Sequence, residues 1–232
     1  MANLIAASAF FLLIHFGVSG TRLRGVLVAR MGEGRYLGLF SLVSIGGLVW
    51  MAKAHSHAPA VVLWGSPVSL WPLGMALMLL ATLLVVIGLT TPNPTMVGGQ
   101  SKLARGEDAA RGITRITRHP FLWGVALWSV VHLVVNGDLA SLIFYGTLLL
   151  LAIGGTPLID ARQRLRVGDQ WNAFGRVTSS VPFAAIATGR NQLGAALREI
   201  GLLRPLLAFA VYAVALALHG RLFDVNLISG WS

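Results

Sequence analysis

Cysteine is absent from the 232 residues. That excludes disulfides, thiolate metal ligands, iron–sulfur clusters and covalent c-type haem attachment, and it leaves histidine as the main soft nitrogen ligand. Carboxylates are scarce: eight Asp and Glu stand against eighteen Lys and Arg, and charged residues make up only 11% of the chain. So few acids leave little material for zinc, which takes three or four Cys, His or carboxylate ligands. A basic stretch ahead of the first apolar run is also missing, so the first twenty residues read as a retained span and not as a signal peptide.

Apolar sequence is abundant, at 56% of the residues. It gathers in six windows, at roughly 3–20, 37–53, 69–91, 120–135, 139–158 and 205–219, several of them short for a hydrocarbon core of about 30 Å. The expected fold class is all-α: a polytopic membrane bundle of about six transmembrane helices, forming one domain over residues 1–232. The net charge of +10 would suit a nucleic-acid partner, but its placement follows the loops. Arg22, Arg24, Arg30 and Arg35 fill the first loop, and Lys102, Arg105, Arg111, Arg115 and Arg118 the third. Seven arginines from Arg162 to Arg204 fill the fifth, at 159–204, leaving only Lys53 and Arg221 on the other side. By the positive-inside rule these basic loops are cytoplasmic, in a bacterial inner membrane, and both termini lie outside the cytoplasm.

The second loop carries His55, His57 and Trp64 and is expected to fold back on the bundle, with the two histidines in solvent. Asn136-Gly137-Asp138 reads as a tight turn joining spans four and five. The polar stretch after Pro94 reads as partly helical, and Leu193, Leu197 and Ile200 recur at helical spacing, as in an interfacial helix. His119 precedes Pro120, which marks the entry into span four, so Arg118 and His119 are expected among headgroups.

Two histidines fall inside spans: His15 in the first and His132 in the fourth. Intramembrane imidazoles are costly and invite a functional explanation. A hydrogen bond to a neighbouring helix is the plain reading of each. Taken together, with no thiolate in the chain, they are candidate metal ligands and catalytic residues, and a b-type haem suits two imidazoles better than zinc does. Arg22, Arg24, Arg115 and Arg118 are candidates to pair with haem propionates, with simple headgroup contact as the alternative. Depth favours a rival: at 1.5 Å per residue, His15 lies about 7 Å from the cytoplasmic boundary and His132 about 18 Å, so His119 is closer in height to His15.

The blocks LLIHFGVSGTRLR, GEGRYLGLFS, ITRHPFLWGVALWSVVHLVVNGD and DARQRLRVGDQWNAFGRVTSSVPFAAIATGR, in this order over about residues 5 to 190, resemble the NnrU family of membrane proteins. The resemblance implies a helical membrane protein. In the family's 15-cis-zeta-carotene isomerase branch it implies a haem b enzyme that isomerises a polyene without net redox change, using ferrous iron. Two functional histidines of that branch match His15 and His132, a third aligns loosely with His55, and a further one falls here on Leu151. The bacterial branch implies a link to nitrite and nitric oxide metabolism, with nitric oxide or a hydrophobic small molecule as ligand. RHPFLWG followed by DARQRLRVGDQWNAFGRVTSSVPF is also similar to membrane methyltransferases that bind S-adenosylmethionine at the cytoplasmic face. A non-catalytic assembly factor for a denitrification enzyme is the third reading.

Overall fold

The computed structural model describes residues 1–96 and 99–223. Among them the regular elements are all helical, joined by loops and with a single isolated β-bridge, Val62 to Asp138. The elements are α1 (Ala2–Leu12), continuing as a π-helix (Leu13–Ser19), then α2 (Arg22–Met31), α3 (Glu33–Ser56), α4 (Trp71–Thr90), α5 (Pro120–Asn136), α6 (Leu139–Val167), α7 (Asp169–Val177), α8 (Ala184–Ala187), α9 (Leu193–Ile200) and α10 (Leu203–Phe223). Five stretches are long and apolar enough to cross a membrane: α1 with its π-helical extension, α3, the 23 residues Val68–Thr90, α6 and α10. The sixth apolar helix, α5, has 17 residues, or about 26 Å at 1.5 Å per residue, somewhat short of the hydrocarbon thickness. Leucines such as Leu42, Leu150 and Leu206 face outward, as a lipid-facing surface requires.

Several expected boundaries move. The fifth window extends by nine residues to Val167, so α6 carries Asp160 and Arg162 and the following loop starts later than residue 159. Pro157 sits inside this helix and cannot donate to the Ile153 carbonyl; the Thr156 hydroxyl donates to it instead, at 3.0 Å. The stretch after Pro94 is partly helical as expected, with 3₁₀ turns at Gln100–Ala109 and Gly112–Arg115, while Val97 and Gly98 lie outside the described residues.

The chain divides into two compact units, 1–74 with 125–162, and 75–124 with the residues from 163 onward. In the first unit, Leu4, Ala7, Phe11 and Ile14 pack with Met51 and Ala54 of α3 and with Ala140 and Phe144 of α6. The loop after α3 does fold back. Leu63 and Trp64 donate backbone N–H groups to the Gly137 carbonyl, and the Trp64 indole donates to the Val134 carbonyl at 3.0 Å. Gly137 has φ +67°, and a Cβ there would lie 2.2 Å from the Trp64 carbonyl oxygen. In the second unit, α4 and α5 approach closely at Gly124, where a Cβ would lie 2.6 Å from Val85 and 2.8 Å from the Ala81 carbonyl. Two further clusters form there, one of Ile87, Ile113, Ile116, Ala196 and Ile200, the other of Leu103, Ala109, Ala110, Trp171 and Phe174.

Candidate functional site

His15, His55 and His132 all belong to the first unit, and each touches an aromatic ring of the same apolar cluster or packed against it. His15 sits in the π-helix, a rare conformation that recurs at functional sites. Its ring lies 4.4 Å from that of Phe11 and 5.3 Å from that of Phe40. His132, on α5, lies 4.5 Å from the Trp128 ring and stacks on Tyr145 at 4.7 Å with an interplanar angle of 25°. His55 meets Phe144 at 4.9 Å and the edge of Tyr145 at 5.9 Å. Tyr145 is therefore shared between His132 and His55.

Hydrogen bonding distinguishes the three imidazoles. The Nδ1 of His15 lies 2.7 Å from the Phe11 carbonyl and that of His132 lies 2.9 Å from the Trp128 carbonyl, each four residues back on its own helix. A carbonyl only accepts, so Nδ1 carries the proton and Nε2 carries the lone pair in the neutral ring. Both rings thus share one tautomer. His55 differs, since its Nε2 is 3.3 Å from the Ser141 hydroxyl. It was expected in solvent; α3 runs on to Ser56, which places it half-buried against α6. His57 is exposed, as expected.

His119 belongs to the second unit and is 2% exposed, so protein and not headgroups surrounds it. The cause is a polar knot between two distant blocks. Arg118 N–H donates to the Ser179 carbonyl, Phe183 N–H to that of Ile116, and the Thr117 hydroxyl and Trp123 indole both to that of Ser180, at 2.7 Å each. Asn93 and Thr95 add side-chain donors to the Arg118 carbonyl. The blocks containing TRHPF and VTSSVPF are thus joined structurally, and His119 is enclosed where they meet.

The four arginines are engaged unequally. Arg24 pairs with Glu33 at 3.2 Å and lies over the Tyr36 ring. Arg118 donates to the Thr178 carbonyl at 3.0 Å, and Arg22 is exposed. Arg115 binds both oxygens of Glu199 at 2.8 Å, and Glu199 also accepts the Gly112 N–H at 2.7 Å. The Arg115 hydrogen bonds hold the Glu199 carboxyl below its usual value, and Glu199 in turn raises the Arg115 guanidinium. Among the described residues, no three His, Asp or Glu side chains come together as a metal-holding group. Sequence reasoning singled out His15 and His132 but missed Trp128, Phe11 and Tyr145. The i, i+4 spacing of Phe11 with His15 and of Trp128 with His132 was a usable signal; the Tyr145 contact crosses a helix hairpin and left none.

The chain is similar to the chloroplastic 15-cis-zeta-carotene isomerases of Zea mays and Arabidopsis thaliana, each 34% identical over 82 residues. In both cases the aligned stretch covers 35% of this chain and only 22% of the relative's length. No solved structure matches. Residues 3–227 match the profile of the family described as NnrU protein, and with its membrane-spanning helices in place the chain belongs to the NnrU family.

Proposed function

We propose that the protein is a membrane-embedded isomerase of a hydrophobic polyene that binds one b-type haem through His15 and His132. The observation that carries the reading is the matched pair of intramembrane imidazoles, each with Nδ1 hydrogen-bonded to the backbone carbonyl four residues back on its own helix. Such a carbonyl bond orients a ligating ring and raises its basicity. The name of the two plant relatives supports the reaction class. A bound haem would be held by His15 and His132 and would supply redox-dependent coordination chemistry to the polyene. The chain's own part is positioning: Trp128 and Tyr145 hold the His132 ring, and Phe11 and Phe40 hold that of His15. The apolar side chains around them admit hydrocarbon and exclude water. Arg22 and Arg24, in the helix that follows His15, are the propionate partners in this reading, and the basic loops face the cytoplasm of a bacterial cell.

Absorption spectroscopy tests it. Protein purified from haem-replete cells is expected to show a Soret band that weakens in His15→Ala and in His132→Ala and persists in His57→Ala. A colourless, iron-free preparation would end the proposal. A six-coordinate spectrum in both redox states, indifferent to carbon monoxide, would replace isomerisation by electron transfer.

A further inference from the structure

The second unit carries a cleft of about 270 Å³, with charged side chains in its lining, that none of the chemistry above uses. Its lining includes four cations, Lys102, Arg105, Arg111 and Arg204, against two carboxylates, Asp108 and Glu199. One of those carboxylates is already neutralised, because Arg115 occupies both Glu199 oxygens. Arg204 is fixed in place by the Glu199 and Ile200 carbonyls, at 3.1 and 2.8 Å. By contrast, the Lys102 and Arg105 side chains make no hydrogen bond or ion pair to another described residue, and Arg111 acts on Glu199 only by charge attraction, without a hydrogen bond. The cleft is therefore a concave surface with a surplus of cationic donors, which suits an anion with several acceptor oxygens.

Its position narrows the choice. Thr91 and Pro92 of the lining directly follow α4, and Arg204 lies in the first turn of α10, its Nε 3.4 Å from the Thr90 carbonyl. Two spans thus end at the cleft, which puts it at headgroup depth. Beside it the chain exposes apolar side chains: Leu202 and Leu203 are 81% and 82% exposed, and Leu197 of α9 also points outward. A cationic pocket with an apolar lip matches a molecule that joins a phosphate to acyl chains.

We infer that this cleft binds the phosphate of an anionic phospholipid headgroup, with Lys102, Arg105 and Arg111 on the phosphate oxygens and Leu202 and Leu203 against the acyl chains. The chemistry shared with a soluble source is the phosphate group itself, and the inference is independent of haem.

The test uses the full chain in detergent, titrated separately with phosphatidylglycerol, phosphatidylcholine and inorganic phosphate, reading thermal stability and bound lipid by native mass spectrometry. Saturable stabilisation by phosphatidylglycerol over phosphatidylcholine is expected, with affinity falling about fivefold for each cation removed in Lys102→Gln, Arg105→Gln and Arg111→Gln. Arg30→Gln and Arg35→Gln, exposed basic positions of the other unit, are expected to keep the full response. Because Lys102 and Arg105 brace nothing in the described fold, Lys102→Gln and Arg105→Gln should retain the wild-type melting temperature without lipid, while Arg111→Gln loses only its attraction to Glu199. Equal stabilisation by the two lipids, or equal loss in Arg30→Gln, would overturn the site. A response to inorganic phosphate alone that depends on Lys102 and Arg111 would overturn the headgroup assignment in favour of a soluble phosphate ester.

Discussion

Glu199 links α9 to the 3₁₀ turn at Gly112–Arg115, and it titrates while doing so. Its carboxyl is held below the ordinary value, so the pair's stabilisation is fully present above the unfolded-state value and is lost as pH falls through the lower folded one. A partly exposed bidentate pair of this kind contributes about 1 kcal/mol or less. Glu199→Gln is therefore expected to lower thermal stability modestly at neutral pH and to flatten its decline in acid; an unchanged acid limb would refute the assignment. The same residues show what was legible. His15 and His132 stood out because an ionisable ring in an apolar run is conspicuous whatever its partners. His119 did not read correctly, because what buries it is hydrogen bonding to Ser179 and Phe183, some sixty residues away, which a local Arg-His-Pro pattern does not encode.

Helices were easier to read than the joints between them. All six apolar windows correspond to helices because apolar runs of that length have few other solutions in lipid. The π-helix at Leu13–Ser19 left no pattern in hydropathy, and the length of α6 was underestimated because Asp160 and Arg162 looked like a loop. The turn at Gly137 was legible from Asn-Gly-Asp, but its closeness to Trp64 was not. Gly137→Ala must adopt a left-handed backbone and also displace the Trp64 carbonyl, so a loss of more than about 1–2 kcal/mol is expected. Thermal unfolding of the purified variant checks this, and a change within error would show that the loop docks differently. Thr156→Val tests the other joint: it leaves the Ile153 carbonyl without the hydroxyl that replaces the Pro157 donor, with an expected cost of about 1 kcal/mol.

For the whole chain, a cysteine-free sequence offers a direct test of topology. Single cysteines introduced as His57→Cys and Arg105→Cys, both at exposed positions, are expected to differ: the first reacts with a membrane-impermeant maleimide in intact cells, the second only in inverted vesicles or permeabilised cells. Labelling of both from one side would invalidate the assignment of the basic loops to the cytoplasm. Finally, the wide coil around His15 makes the first span sensitive to length as well as to chemistry. Deleting one residue, such as Val18, from Leu13–Ser19 lets the segment tighten to ordinary helical pitch with little net rotation of what precedes it, whereas a deletion in the regular coil of α1 swings everything before the cut by about 100° relative to His15. An imidazole left intact but aimed elsewhere would then be as inert as one that had been removed.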